Sequence, residues 1–135
     1  MKKWMNTQIL QGRVNLSLLI LRVSLGGMML THGWPKFQRL LSGEFKFADP
    51  IGLGPEVSLV LAVFAEFICA ITLMLGFFSR ISAFMLAFTM AVAAFIQHAD
   101  DPFGNKEKAL LYLVGLVAIL LMGGGRYSID DRFNN

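Results

Sequence analysis

Apolar residues along this chain are grouped into four runs separated by shorter polar stretches. Residues 16–33 and 57–78 each contain a single charged residue, and residues 81–97 and 109–125 contain none. A helix that spans a bilayer needs about 20 mostly apolar residues, with roughly 17 as a lower limit. The pattern therefore predicts four membrane-spanning helices, over about residues 16–36, 56–78, 80–98 and 107–124.

A soluble bundle of buried helices is the alternative interpretation of the same runs. Helices of soluble proteins alternate apolar and polar faces, whereas the third run has no charged face. Of the 135 residues, 56% are hydrophobic and 16% are charged, which is more apolar than an ordinary soluble domain. Four spans use the whole chain. We therefore predict an all-α fold, an integral membrane four-helix bundle that forms one domain over residues 1–135, with both termini on the same side.

The distribution of basic residues predicts which side that is. The end with both termini would carry six basic residues and the opposite end five: Lys2, Lys3, Arg13, Arg80, Arg126 and Arg132 against Lys36, Arg39, Lys46, Lys106 and Lys108. Basic residues favour the cytoplasmic side of a membrane. The termini are accordingly predicted to be cytoplasmic.

Several classes of function are disfavoured by what the chain lacks. Cys69 is the one cysteine, so the chain can form neither an intrachain disulfide nor a CxxC pair, which argues against a membrane disulfide oxidoreductase. The sequence has no stripe of interleaved basic and aromatic residues, so we predict no nucleic-acid partner. The pI of about 9.3 fits the basic flanks of a membrane protein in contact with the lipid bilayer.

Arg22 and Glu66 are the charges inside the first two apolar runs. A charge at that depth costs several kcal/mol unless it is paired or hydrated. At 1.5 Å per residue, Arg22 lies about 13 Å and Glu66 about 18 Å from the same end of their helices. We therefore predict a bidentate ion pair between them. Two interpretations stay open: the pair orients a bound ligand, or it only fixes the register of two helices.

One stripe of the first helix connects this pair to the opposite, outer end of the bundle. Residues three or four apart share a helix face, and the stripe consists of Arg22, Gly26, Met29, Gly33 and Lys36. The two glycines would allow a neighbouring backbone to approach closely or would leave room for a flat ligand.

His32 and His98 are the two histidines, and both lie at the predicted outer end. Three interpretations compete: they bind or protonate a ligand such as a quinone, they ligate a haem from two helices, or they are ordinary interfacial residues. Their position at the ends of spans argues against haem, because bis-histidine sites usually lie within spans. A metal site that combines His98 with Asp100 and Asp101 matches no strong ligand motif, so no metal is predicted.

Short motifs follow one another in a fixed order along the chain. The first span carries LR, GG and THGWPK, the second has Glu66 and ends in LGFFSR, and the fourth begins with ALLY and closes with GGGRYSID. Together they resemble the motifs of the DoxX family of small four-helix bacterial membrane proteins. The family's usual GPGR is GGGR here, which leaves Gly125 and Arg126 in place.

The resemblance implies a four-span bundle in the bacterial plasma (inner) membrane. It also implies distant kinship to the membrane subunit of thiosulfate:quinone oxidoreductase, and other family members are associated with oxidative-stress assemblies. Carried over to this sequence, quinone contact would fall to Arg22, His32, Lys36 and Glu66. Their roles would be charge compensation, hydrogen bonding to a quinone carbonyl and proton relay.

Three functions from different classes remain open from the sequence. The first is a quinone-binding membrane subunit that receives electrons from a soluble or membrane redox partner, with His98 as a further ligand candidate. The second is a non-enzymatic carrier of lipids or small molecules that uses the same polar pocket. The third is a scaffold subunit of a membrane complex. A homo-oligomer is compatible with each of them.

Overall fold

The computed structural model describes residues 4–134, which contain helices and no strand. Lys2 and Lys3, which contribute to the topology prediction, lie outside the described residues, as do the two ends of the predicted domain. Five helices follow one another along the chain: α1 (Gln11–Leu41), α2 (Pro55–Leu75), α3 (Ser79–Gln97), α4 (Phe103–Met122) and α5 (Ile129–Asn134).

Three of these helices, α1, α2 and α3, are long and apolar enough to cross a membrane. α1 has 31 residues and is about 46 Å long, which exceeds a hydrocarbon core of roughly 30 Å. It extends five residues beyond the predicted span 16–36 at each end. α4 has 20 residues but includes Lys106, Glu107 and Lys108 near its start. Its crossing of the membrane consequently stays a prediction.

The long helices pack side by side around a shared apolar core. α1 packs mainly on α2 and α4, and α3 packs mainly on the same two helices. The large side chains that are almost fully buried in this core are Met29, Leu73, Leu86, Leu116 and Ile119. Many large apolar side chains are instead exposed on the outside of the helices, including Ile20, Val60, Phe84, Phe88, Val114 and Leu121. A bilayer would cover this outer surface, because lipid tails are as apolar as these side chains.

The predicted stripe on α1 forms the contact with α2. Arg22, Gly26, Met29 and Gly33 are all buried. A Cβ atom at Gly26 would overlap the Ala70 carbonyl oxygen, and one at Gly33 would overlap the Glu66 carbonyl. The two backbones therefore approach one another closely at both glycines, as small residues allow at membrane helix interfaces. Of the two possibilities that the sequence leaves open for these glycines, the structure shows close backbone approach.

The C-terminal segment closes one end of the helices. The Asp130 carboxylate accepts hydrogen bonds from the backbone N–H groups of Phe78 and Ser79, each at 2.7 Å. The Asn15 side-chain oxygen accepts the N–H of Arg126 at 3.2 Å. The first bonds satisfy N–H groups at the start of α3, which have no partner within the helix. The segment thus ties α1 and α3 together.

Replacing Asp130 with alanine should destabilise this end of the protein. Losing a charged cap on two N–H groups is expected to cost about 2 kcal/mol and to lower the melting temperature by roughly 5–10 °C. Thermal unfolding in detergent measures the change. Asp100→Ala, which removes an exposed carboxylate at the opposite end, is the control. An equal shift in both variants would contradict a capping role for Asp130.

Candidate functional site

Lys36 and Glu66 form an ion pair between α1 and α2. The Lys36 Nζ lies 2.5 Å from the Glu66 Oε2. The Glu66 side chain is 4% exposed and the Lys36 side chain 28%, so the pair reaches from the protein interior toward the surface. The ammonium also lies 5.6 Å from the centre of the Phe47 ring, within cation–π range. An ammonium has three N–H donors, so Lys36 can donate to a ligand while it stays bonded to Glu66.

Widened helical turns occur beside this pair in two helices. α2 contains a π-helical turn over Phe64–Cys69, which includes Glu66, and α3 ends in another over Ala93–Gln97. π-helical turns are rare and are found frequently at functional sites. The buried backbone of Gly33 lies against Glu66 on the α1 side. Lys36 follows Gly33 by about one helical turn, which brings its side chain to the carboxylate.

A cavity of about 270 Å³ lies between α2 and α3, beside the ion pair. Its apolar walls include Leu61, Phe64, Met85 and Phe88, and the loop before α2 contributes Phe47, Pro50 and Ile51. Its polar lining residues are Lys36, Ser58, Glu66, Thr89 and Gln97. Leu61, Phe64 and Phe88 are also exposed on the outer surface, so the cavity reaches the surface that lipid would cover. Ligand sites typically have such apolar walls with a few polar groups, in volumes of roughly 300–1,000 Å³.

Arg22 lies away from this cavity, and its predicted ion pair with Glu66 is wrong. Its Nη1 donates to the carbonyl oxygens of Leu73 at 3.3 Å and Met74 at 3.2 Å. Its Nη2 donates to the carbonyl oxygen of Tyr127 at 2.5 Å. Arg22 therefore ties α1 to the end of α2 and to the C-terminal segment, whereas Glu66 takes Lys36 as its partner.

The error lies in the register of the two helices. Glu66 is level with Gly33 on α1. Gly33 lies eleven residues beyond Arg22, a rise of about 16 Å along the helix. The sequence estimate assumed that both helices end at one plane, whereas Arg22 lies eleven residues into α1. α2 ends at Leu75, and its last carbonyl groups lie level with Arg22.

The Arg22 guanidinium is held by carbonyl groups rather than by a carboxylate, and across residues 4–134 its buried Nε has no hydrogen-bond partner. Carbonyl groups at a helix C-terminus lack partners within the helix and carry the negative end of the helix dipole. The carbonyls of Leu73 and Met74 are such groups. The negative charge of Asp130 also acts on the guanidinium. Of the two interpretations of this buried charge, the contacts of Arg22 favour the structural one.

The two predicted histidines are placed in different surroundings. The His32 ring meets the Tyr112 ring of α4 edge-on, with 6.2 Å between centroids. His32 is not one of the residues that line the cavity. The His98 Nδ1 lies 2.6 Å from the Asp101 Oδ2 in the turn between α3 and α4. Of the five candidate ligand residues, the structure brings only Lys36 and Glu66 together at the cavity wall.

Comparison with known proteins identifies the family. The DoxX family model matches residues 17–99, which is more than half of the chain. The chain belongs to the DoxX family. This DoxX protein is 31% identical over 127 residues to an uncharacterised protein of Haemophilus influenzae, an alignment that covers 86% of this chain and 90% of the relative. It is 25% identical over 126 residues to inner membrane protein YqjF of Escherichia coli, covering 89% and 94% of the two chains. No solved structure matches it.

These findings confirm the predicted family and support a membrane location for the DoxX protein. The family match and the inner-membrane relative agree with three helices that can cross a bilayer.

Besides the apolar walls of the cavity, two of its polar residues were missed in the sequence of the DoxX protein. Ser58 and Thr89 are polar residues inside apolar runs, and this is the signal that marks them. The signal is weak, because serine and threonine in helices commonly bond their own backbone. The Thr89 hydroxyl does so, donating to the Met85 carbonyl at 2.8 Å.

Proposed function

We propose that this DoxX protein binds a quinone head group in the cavity between α2 and α3, as the membrane subunit of a quinone-linked redox system. A partner protein or a small reductant donates the electrons. The observation that carries the proposal is the Lys36–Glu66 ion pair, whose carboxylate is buried, in the wall of an apolar cavity that reaches the outer surface of the helices.

The residues of the cavity fit the chemistry of a quinone. A quinone has a flat ring with two carbonyl acceptors and an apolar tail, and when bound it supplies reversible uptake of two electrons and two protons. The apolar side chains Leu61, Met85 and Phe88 suit the ring. The Lys36 ammonium can donate to a carbonyl. Phe64, which is exposed on the outer surface, is suited to contact the tail.

The Lys36–Glu66 pair is suited to holding and moving a proton at this site. Its two groups are one donor and one acceptor, already within hydrogen-bond distance. General acid–base chemistry requires such a group within hydrogen-bond reach of the reacting atom. We infer that Glu66 Oε2 accepts or releases the proton and that Lys36 holds the ligand carbonyl. Gln97 can add an amide donor and acceptor at the same cavity.

The proposal includes a four-span topology with cytoplasmic termini. Short turns join α2 to α3 and α3 to α4, so neighbouring helices run in opposite directions. The charges of α4 lie at one end of that helix, where the headgroup region of a membrane would accommodate them. Four crossings bring both termini to one side, and the positive-inside rule assigns that side to the cytoplasm.

Glu66→Gln and Lys36→Gln are each expected to weaken binding of a short-tailed quinone about tenfold or more. Each change removes one charged partner from the cavity wall, and hydrogen bonds to charged groups contribute about 1.5–3 kcal/mol. Titration of the purified protein with a ubiquinone or menaquinone analogue measures the affinity. Glu56→Gln and Lys46→Gln are the matched controls, because both remove exposed charges that do not line the cavity. Unchanged affinity in both cavity variants would exclude this site.

The reach of the cavity to the outer surface also favours a second function, a non-enzymatic carrier of an apolar molecule. The two functions differ in one measurable property. A redox subunit changes the quinone-to-quinol ratio when an electron donor is supplied to membranes that contain it. A carrier moves its ligand between liposomes with no donor present.

A further inference from the structure

A second and larger cavity lies at the opposite end of the helices from the Lys36–Glu66 pair. It is open to its surroundings and has a volume of about 1120 Å³. The start of α1, the turn between α2 and α3, the glycine segment after α4 and the short helix α5 form its walls. No part of the proposed quinone site enters this cavity, so its role is a separate question.

Two arginine side chains line this cavity, Arg80 and Arg126. Both residues are exposed. Across residues 4–134, neither guanidinium makes a hydrogen bond or ion pair with the protein. The Arg80 guanidinium lies directly over the glycine segment, since a Cβ atom at Gly123 would come within 3.3 Å of its Nε. The cavity thus presents two cationic groups with unused donors.

Two acidic residues, Asp130 and Asp131, also line this cavity, and each has a partner within the protein. Both carboxylate oxygens of Asp130 accept backbone N–H groups at the start of α3, and Asp130 also acts on the buried Arg22. Asp131 has an interaction partner of its own. A planar guanidinium matches the geometry of a phosphate and binds it through two parallel hydrogen bonds. The two arginines therefore favour a phosphate-bearing anion.

The apolar rim of the cavity indicates where this phosphate comes from. Phe78, Ile81 and Phe133 line the cavity and are more than half exposed. This end of the helices also carries both ends of the described chain and the turn between two membrane-spanning helices, as expected near a membrane surface. Basic pockets at such positions bind the head groups of acidic lipids. We propose that Arg80 and Arg126 bind the phosphodiester of an acidic membrane lipid, whose acyl chains lie along the apolar rim.

Titration with a short-chain phosphatidylglycerol tests this proposal on the full-length protein in neutral detergent. Each of Arg80→Gln and Arg126→Gln is expected to weaken binding about fivefold, and the double variant about thirtyfold, from roughly 1 kcal/mol per basic residue near a membrane surface. Arg13→Gln is the matched control, because Arg13 is exposed near the same end of α1 and does not line the cavity. It should change the affinity less than twofold.

The outcomes distinguish binding at the two cavity arginines from general attraction to the basic end of the protein. They also distinguish a lipid ligand from a soluble phosphate ion. Unchanged affinity in the double variant overturns the proposal, as does a loss in Arg13→Gln equal to that of the cavity variants. Inorganic phosphate and phosphatidylcholine are titrated in parallel. If inorganic phosphate binds as tightly as phosphatidylglycerol with the same dependence on the two arginines, the lipid assignment is overturned. Weak binding of phosphate and of phosphatidylcholine supports it.

Discussion

Replacing Arg22 with methionine is expected to lower the free energy of unfolding by about 3 kcal/mol and the melting temperature by roughly 10 °C. The guanidinium is fully buried and donates to three carbonyl groups on two separate segments. Methionine fills similar space but removes the Arg22 donor from the Met74 and Tyr127 carbonyls, whereas the Leu73 carbonyl still accepts the Gly76 N–H. An unsatisfied buried acceptor costs about 1–3 kcal/mol. Part of this cost is offset, because the variant no longer has to bury a charged group away from water.

Thermal unfolding in detergent, followed by circular dichroism, measures this change. Arg13→Met is the control, because it replaces an exposed arginine of the same helix and should alter stability by less than about 0.5 kcal/mol. Arg22→Lys should fall between the two, because an ammonium lacks the fixed fork of donors that reaches both segments. If Arg22→Met were as stable as Arg13→Met, the proposed tie between α1, α2 and the C-terminal segment would be wrong.

Gly33→Ala is expected to cost about 3 kcal/mol and also to abolish binding of the quinone analogue. Its Cβ atom would overlap the backbone carbonyl of Glu66, which cannot move aside as a flexible side chain can. Overpacking of this kind typically costs 1–3 kcal/mol. α1 and α2 must separate to relieve the overlap, and the separation pulls Lys36 away from Glu66. The variant therefore loses stability and affinity together.

Gly27→Ala provides the matched control within α1. The nearest atom to a Cβ at Gly27 is the Met74 Cε at 3.9 Å, an ordinary contact with the end of a flexible side chain. Alanine favours the helix over glycine by about 1 kcal/mol, so this variant should be as stable as the wild type or more so. Normal stability and affinity in Gly33→Ala would show that close backbone contact at Glu66 does not hold the site.

Arg22→Met and Gly33→Ala act on different ends of the molecule, and binding data can separate their effects. Arg22 lies about 16 Å along α1 from the level of the Lys36–Glu66 pair. Folded Arg22→Met protein should therefore bind the quinone analogue with nearly wild-type affinity, whereas folded Gly33→Ala protein should not. This comparison distinguishes a residue that stabilises the fold from one that positions the cavity wall.

The sequence predicted the helices well because their signal is local. Runs of apolar residues marked α2 and α3 to within three residues at each end. Spacing by three and four residues predicted the face of α1 that packs on α2, including Gly26 and Gly33. The end of α1 was placed five residues too early, because the polar residues after Gly33 look like a loop although the helix continues beyond the apolar run.

The partners of the buried charges could not be predicted in the same way. Three charged residues lie where α1 packs on α2 and compete for partners: Arg22, Lys36 and Glu66. Which two meet depends on the relative shift of α1 along α2, and a change of two or three helical turns exchanges the partners. Hydrophobic periodicity fixes the rotation of a helix about its axis but leaves this shift almost free.

The sequence by itself determined the family, the helical architecture and the residues that face the α1–α2 contact. The family follows from the order of short motifs along the chain. The helices and their contact faces follow from composition and periodicity, which each segment carries alone. The tertiary structure decided that Glu66 pairs with Lys36, that Arg22 binds the end of α2, and that cavities lie at both ends of the helices. These features arise from the packing of two glycine backbones against α2 and from the folding back of the C-terminal segment. The glycine packing and the folded-back segment each bring together residues that are far apart in the chain. No local sequence pattern specifies which of these residues meet.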